Sequence, residues 1–251
     1  MQNRVLRYLT ASFFAASLAQ AQPVLLRTIP QEGSAPKFMD GAAATTGHCP
    51  DILAAIERAD KSLKFVIEPQ SAPIKRIENE LKSGRIDVIC ALLDTPLRND
   101  IAYRLEPPIY QVQERLVGRR HDNLPVHSLQ ELAQNGDIVV TQSGASYAAD
   151  LRNAGVKVVE SPGGSAVALR NVESNRARFY YTNALTGAYY IRAEGLTDRL
   201  RLHPGVLQST PSYLWAGRHL DPTTVQRLEK ALQSLKRSGE LDRIYQRYET
   251  E

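Results

Sequence analysis

The chain of 251 residues is poor in the side chains that build metal and redox centres, with two cysteines, two methionines, one tryptophan and five histidines. The cysteines form no CxxC, and no spaced histidine pair completes a site around His48 and Cys49, so no zinc cluster is encoded. Runs of like charge are also missing. Lys and Arg are interspersed with Asp and Glu, and the formal net charge is +4, two units of which come from Arg4 and Arg7. That pattern carries no nucleic-acid footprint of charge or motif. Beyond the first 21 residues no apolar run is long enough to span a bilayer. No nucleophile–base pair stands in a recognisable motif, and no cofactor is expected.

What remains is an ordinary globular composition, with 43% apolar and 23% charged residues, in a length that suits one large domain or two small ones. The N-terminus reads as an export leader. Arg4 and Arg7 precede a short apolar core from Tyr8 to Leu18, and Ala19-Gln20-Ala21 fits the small-x-small cleavage pattern, so cleavage is expected after Ala21 and the product in the periplasm. In an exported chain an even cysteine count suggests one disulfide, Cys49 with Cys90; two buried thiols are the alternative.

The most informative stretch is Ser83 to Tyr110. Gly84 stops a helix, and Ile86 to Leu93 is a continuous apolar run of the kind that forms a strand buried on both faces. Asp94-Thr95-Pro96-Leu97-Arg98 follows at that strand's carboxyl end, where α/β sheets collect ligands. Arg98 is a candidate fork for a carboxylate or phosphate, with Thr95 beside it as a neutral partner. The competing readings are a capped turn with a solvated arginine, or a structural arginine paired with Asp94 or Asp100.

Around this stretch the chain alternates strand and helix twice. Val24–Ile29, a helix from Pro50, Leu63–Ile67, a helix from Pro73 and Ile86–Leu93 predict a βαβαβ unit with a parallel sheet. Asp137–Thr141, Tyr147–Ala154, Val156–Val159, Ser165–Ser174, Arg178–Thr182 and Asn183–Glu194 predict a second such series. A strand over Ser212–Gly217 and two amphipathic helices close the chain. A crevice between two α/β units is a natural ligand site.

These motifs, in this order, resemble the periplasmic solute-binding proteins of the polar amino-acid uptake class, family 3. Gly47-His48-Cys49-Pro50-Asp51-Ile52-Leu53 stands where that family begins its first helix. Leu81 to Val88 is similar to its L-x-x-G-x-x-D pattern, Thr95-Pro96-Leu97-Arg98 to its Thr-x-x-Arg, and Leu235 to Tyr248 to its C-terminal signature. The resemblance implies an α/β fold of type II, with two lobes joined by two crossover strands. Lobe I would be 22–110 plus 212–251 and lobe II 111–211, closing on a small polar or anionic solute for a membrane ABC permease or a sensor. A monomer is expected. It assigns Arg98 to the ligand carboxylate and Gly144-Ala145-Ser146 to the same group from lobe II. Phe38 is the candidate stacking aromatic. It also brings Cys49 and Cys90 together at one sheet edge.

Two departures restrict the ligand. Asn183 occupies the place where the family carries an Asp for an ammonium group, and an amide cannot neutralise a buried charge. Cys90, Ala91 and Leu93 replace the usual small hydroxyl residues before Thr95. Both favour an anionic or less zwitterionic ligand, although Asp94 could still hold an ammonium. The alternative on this scaffold is an enzyme resembling cyclohexadienyl dehydratase. Its general acid would be Glu32, Asp94 or Glu106, with His48 as a proton carrier.

Overall fold

The computed structural model describes residues 22–39 and 45–250. The expected leader over 1–21 and the middle of the Gln31–Thr46 loop lie outside them. Two cores divide the chain. Side chains from 24–112 and 213–248 pack into two adjoining clusters, and those of 116–207, joined by Ala35, into two others. The architecture is that of the type II periplasmic-binding proteins; the two groups of clusters, bridged by Tyr147, are called lobe I and lobe II below.

Lobe I opens with β1 (Val24–Thr28), α1 (His48–Ala59), β2 (Leu63–Ile67), α2 (Ile74–Lys82) and β3 (Val88–Leu93). β1 and β2 pair in parallel, as the alternation predicts. The third strand differs. β3 ladders antiparallel with β9 (Leu200–Gly217), and Asp87, just before β3, is tied to Arg27 of β1: its N–H donates to the Arg27 carbonyl at 2.8 Å and its Oδ2 accepts the Arg27 N–H at 2.7 Å. All six residues of β3 are buried, as its unbroken apolar sequence requires. The register slips between Ile89 and Leu92, and Ala91 there has a φ of 59°, a left-handed conformation rare outside glycine. Cys90 beside it is bonded to Cys49 at the start of α1.

After β3, Thr95 caps a short α3 (Pro96–Ile101), with Pro96 in its first turn. β4 (Ala102–Arg104) pairs with the end of β9. The chain then enters lobe II on β5 (Tyr110–Arg119), which runs antiparallel along β9 for most of its length. This two-strand ribbon connects the lobes. Glu114 on β5 is fully buried and accepts hydrogen bonds from Tyr181 Oη and Thr210 Oγ1, both at 2.6 Å. Burial, the dominant effect, raises its carboxyl above the usual range.

Lobe II continues through α4 (Leu129–Gln134), β6 (Ile138–Gln142), α5 (Tyr147–Asn153), β7 (Lys157–Ser161), α6 (Gly164–Glu173), β8 (Phe179–Asn183) and α7 (Ala184–Ala193). β6 pairs in parallel with both β7 and β8, and β8 joins the ribbon at β5. The return strand β9 begins well before the expected Ser212. Its first half contains His203-Pro204-Gly205, absorbed by the register irregularity between Arg115, opposite Val206, and Val117, opposite Leu202. α8 (Pro222–Arg237), capped by Asp221, and α9 (Glu240–Thr250) then pack on α1 and complete lobe I. No helix among the described residues is long and apolar enough to cross a membrane.

Candidate ligand-binding site

The carboxyl ends of β3, β6 and β8 and the loop after β1 meet at one cavity of about 80 Å³ between the lobes. Lobe I contributes Gln31, Ser34, Lys37, Ile74, Ala91–Leu93, Arg98 and Tyr110. Lobe II contributes Gln142, Gly144–Tyr147, Thr182, Asn183 and Thr186. The lobes touch around its rim. Ser165 Oγ donates to the Gly33 carbonyl at 2.9 Å, and Gln142 Nε2 to the Glu32 carbonyl at 3.1 Å. A Cβ added to Gly144, whose φ is +80°, would lie 2.8 Å from Ile74 Cγ2, so only glycine allows this approach.

Arg98 is 5% exposed and lines the cavity. The first turn of α3 swings its side chain back over the end of β3. There Nη1 donates to the Leu93 carbonyl at 2.6 Å and Nε to Glu78 Oε1 on α2 at 2.9 Å. The partner is therefore Glu78, not Asp94 or Asp100. Asp94 is exposed, accepts from Asn99 Nδ2 at 2.6 Å and forms an ion pair with Arg104, away from the cavity. It is not among the residues that line the cavity. Thr95 accepts the Arg98 N–H at 3.3 Å as the helix cap and faces a more open groove behind Arg98 rather than the cavity.

On the lobe II side Gly144 and Ser146 both line the cavity, on the turn between β6 and α5. The Gly144 N–H is held by Glu160 Oε2 at 3.2 Å, and the Ser146 hydroxyl makes no capping bond to α5. Asn183 also lines it, with Oδ1 accepting the Leu185 N–H at 3.0 Å as the cap of α7. Phe38 is elsewhere: it is 2% exposed and packed in the core of lobe I. The aromatic walls are instead Tyr110 and Tyr147, whose phenols burial raises above their ordinary range.

Lys37, beside Phe38, was not singled out by the sequence. It is 7% exposed, and its Nζ donates to Gln31 Oε1 at 2.7 Å. Burial, and then the positive charge of Arg98, hold its ammonium well below the usual lysine range. No Asp or Glu lines the cavity among the described residues. Of the acids considered for catalysis, Glu32 is exposed, while Asp94 and Glu106 both pair with Arg104. His48 is buried against Tyr110 and Tyr248, and burial first, then Lys37, lower it to about 3, so it stays uncharged near neutrality.

The sequence model of the bacterial extracellular solute-binding proteins, family 3, matches residues 29–251. No curated protein sequence matches the chain. Similar solved structures share its fold at low identity. A mutant of ArgBP from T. maritima has a TM-score of 0.74 at 20% identity, covering 90% of this chain and 96% of its own. A histidine kinase sensor domain with similarity to periplasmic binding proteins has a TM-score of 0.75 at 21% identity, covering 90% and 96%. The ancestral amino acid-binding protein AncCDT-1, a precursor of cyclohexadienyl dehydratase, has a TM-score of 0.72 at 18% identity, covering 89% and 95%.

Proposed function

The chain belongs to the bacterial extracellular solute-binding proteins, family 3, and from that premise we propose that it captures a small carboxylate-bearing solute in the cavity between its lobes. The observation that carries this reading is Arg98, a buried guanidinium on the lobe I wall, facing the Gly144–Ser146 turn of lobe II across the same cavity. A fork of N–H donors in a desolvated cleft suits a planar carboxylate. Glu78 and Leu93 fix the fork from behind, so little rotamer freedom is lost on binding. The cavity is about half the volume that holds a benzene molecule elsewhere, which favours a solute of a few heavy atoms.

Lobe I would span 22–110 plus 212–251 and lobe II 111–211, with the ribbon of β5 and β9 as the hinge. The grouping of the cores supports this division. Export by a leader cleaved after Ala21 would place the protein in the periplasm, where it hands its solute to a membrane transporter or a sensor. Capture rather than turnover is favoured because the acids a dehydratase would use stand outside the cavity or, for His48, are held uncharged.

The test is a thermal-shift screen of small carboxylates. A bound solute raises the melting temperature by linkage, and Arg98→Ala is expected to abolish that rise for every compound that gives one. Stabilisation that persists in Arg98→Ala refutes the site.

A further inference from the structure

The two cations of the cavity are not equivalent. Arg98 has a carboxylate behind it, Glu78 at 2.9 Å, so its charge is compensated within the protein. Lys37 has no ion pair among the described residues. Its hydrogen bond goes to Gln31 Oε1, a neutral acceptor, although the side chain is buried and lines the cavity. Across the cleft stands Asn183, also neutral. A buried ammonium without a counter-charge is costly, and the empty space beside it is where a counter-charge can enter.

We infer that Lys37 is a ligand-binding residue whose counter-ion is the solute itself, and that the solute is a net anion, an acid without an ammonium group, rather than a zwitterionic amino acid. The inference rests on the carboxylate reading above and sharpens it. A zwitterion would bring its own ammonium to a cavity lined by Lys37 and Arg98 and, among the described residues, by no acid. An acid bearing a hydroxyl or hydrogen at that position avoids the repulsion and supplies the missing charge.

The titratable and charged groups around Lys37 support this. Arg98 lowers its proton affinity, His48 is itself held at about 3 partly by Lys37, and the phenols of Tyr110 and Tyr147 are raised. None supplies a negative charge near neutrality. An arriving anion favours the ammonium form, so binding in mildly alkaline buffer draws a proton from solution.

The experiment uses matched pairs of acids that differ only in –NH3+ against –OH: glycine and glycolate, L-alanine and L-lactate, L-aspartate and L-malate. Each is titrated calorimetrically into the protein at pH 8 in two buffers of different ionisation enthalpy. In the pair that the cleft accepts, the hydroxy acid is expected to bind at least tenfold tighter, with proton uptake. Lys37→Met is expected to fold at least as stably, to erase both the preference and the proton uptake, and to leave the carboxylate contact at Arg98. Lys37→Gln serves as the second variant if Lys37→Met fails to fold. An amino acid preferred over its hydroxy acid, or a preference unchanged in the Lys37 variant, overturns the inference and leaves the Arg98 reading standing. Absence of binding by every pair removes both; equal binding by Arg98→Ala removes the Arg98 reading alone.

Discussion

Removing Arg98 tests binding, but it also disturbs the fold, and the structure says by how much. Arg98 and Glu78 are 5% and 8% exposed and joined at 2.9 Å. Arg98→Ala leaves the Glu78 carboxylate buried without its cation, and takes the Nη1 donor from the Leu93 carbonyl. Breaking a buried pair from one side costs about 3–5 kcal/mol, so Arg98→Ala should lose about 4 and Glu78→Ala about 3. The double variant removes both charges and leaves mainly the orphaned carbonyl and lost volume, about 3 kcal/mol instead of the additive sum of about 7. Urea denaturation followed by far-ultraviolet circular dichroism, on all four proteins in one buffer, measures the cycle. Calorimetry on the double variant then asks whether a comparatively stable protein without Arg98 still binds carboxylates; it should not. Losses that add to within about 0.5 kcal/mol would refute the structural pairing, and undiminished binding by the double variant would refute the clamp.

His48 is fully desolvated and held at about 3, below the 6.5 of an exposed imidazole. The unfolded chain therefore takes the proton first, so stability is full above about pH 6.5 and falls toward pH 3, by about 2 kcal/mol between pH 6.5 and 5 and about 5 overall. Urea unfolding at those two pH values should show the loss in the wild type and a flattened dependence in His48→Phe; parallel losses would point to another group. Gly144→Ala should lose about 1–2 kcal/mol of stability from its left-handed backbone, and at least tenfold in affinity for every solute, because its Cβ meets Ile74 across the cleft; calorimetry showing unchanged affinity would contradict the closed geometry. Reduction of Cys49–Cys90, 41 residues apart, should cost about 4 kcal/mol by loop entropy; a melting temperature insensitive to reductant, with intact mass confirming reduction, would refute it.

Much of the fold was legible because its signals are local. The apolar face of α8, the Asp221-Pro222 start and the unbroken run of β3 are each written within one element. The partner of β3 was not, because β9 lies more than a hundred residues downstream and pairing at that distance leaves no local mark. The first half of β9 lay outside the expected strand; its His203-Pro204-Gly205 is accommodated by the irregularity in the ladder between Arg115 and Val117. At the site, Thr95-Pro96-Leu97-Arg98 pointed to the arginine, but the cap and the fork separate: Thr95 holds the helix while Arg98 alone reaches the cavity. Its carboxylate partner, Glu78, sits on α2 among residues that otherwise read as a polar face. Lys37 and Phe38 show the sharpest divergence. Adjacent side chains in a non-helical loop point apart, and here the aromatic turns into the core while the cation lines the cleft.

On the proposed capture between two closing lobes, the loop after β1 would also help set how often the cleft is shut. The two hydrogen bonds described across the rim end on its backbone carbonyls, those of Glu32 and Gly33, and their donors, Gln142 and Ser165, belong to lobe II. Each bond contributes about 1 kcal/mol, so together they shift the balance between open and closed forms by about thirtyfold. Apparent affinity scales with the closed fraction whatever solute is inside. Substitutions at Gln142 or Ser165 therefore act as a gain control, raising or lowering the affinity for every solute together, while discrimination among solutes is set separately by the side chains that face them.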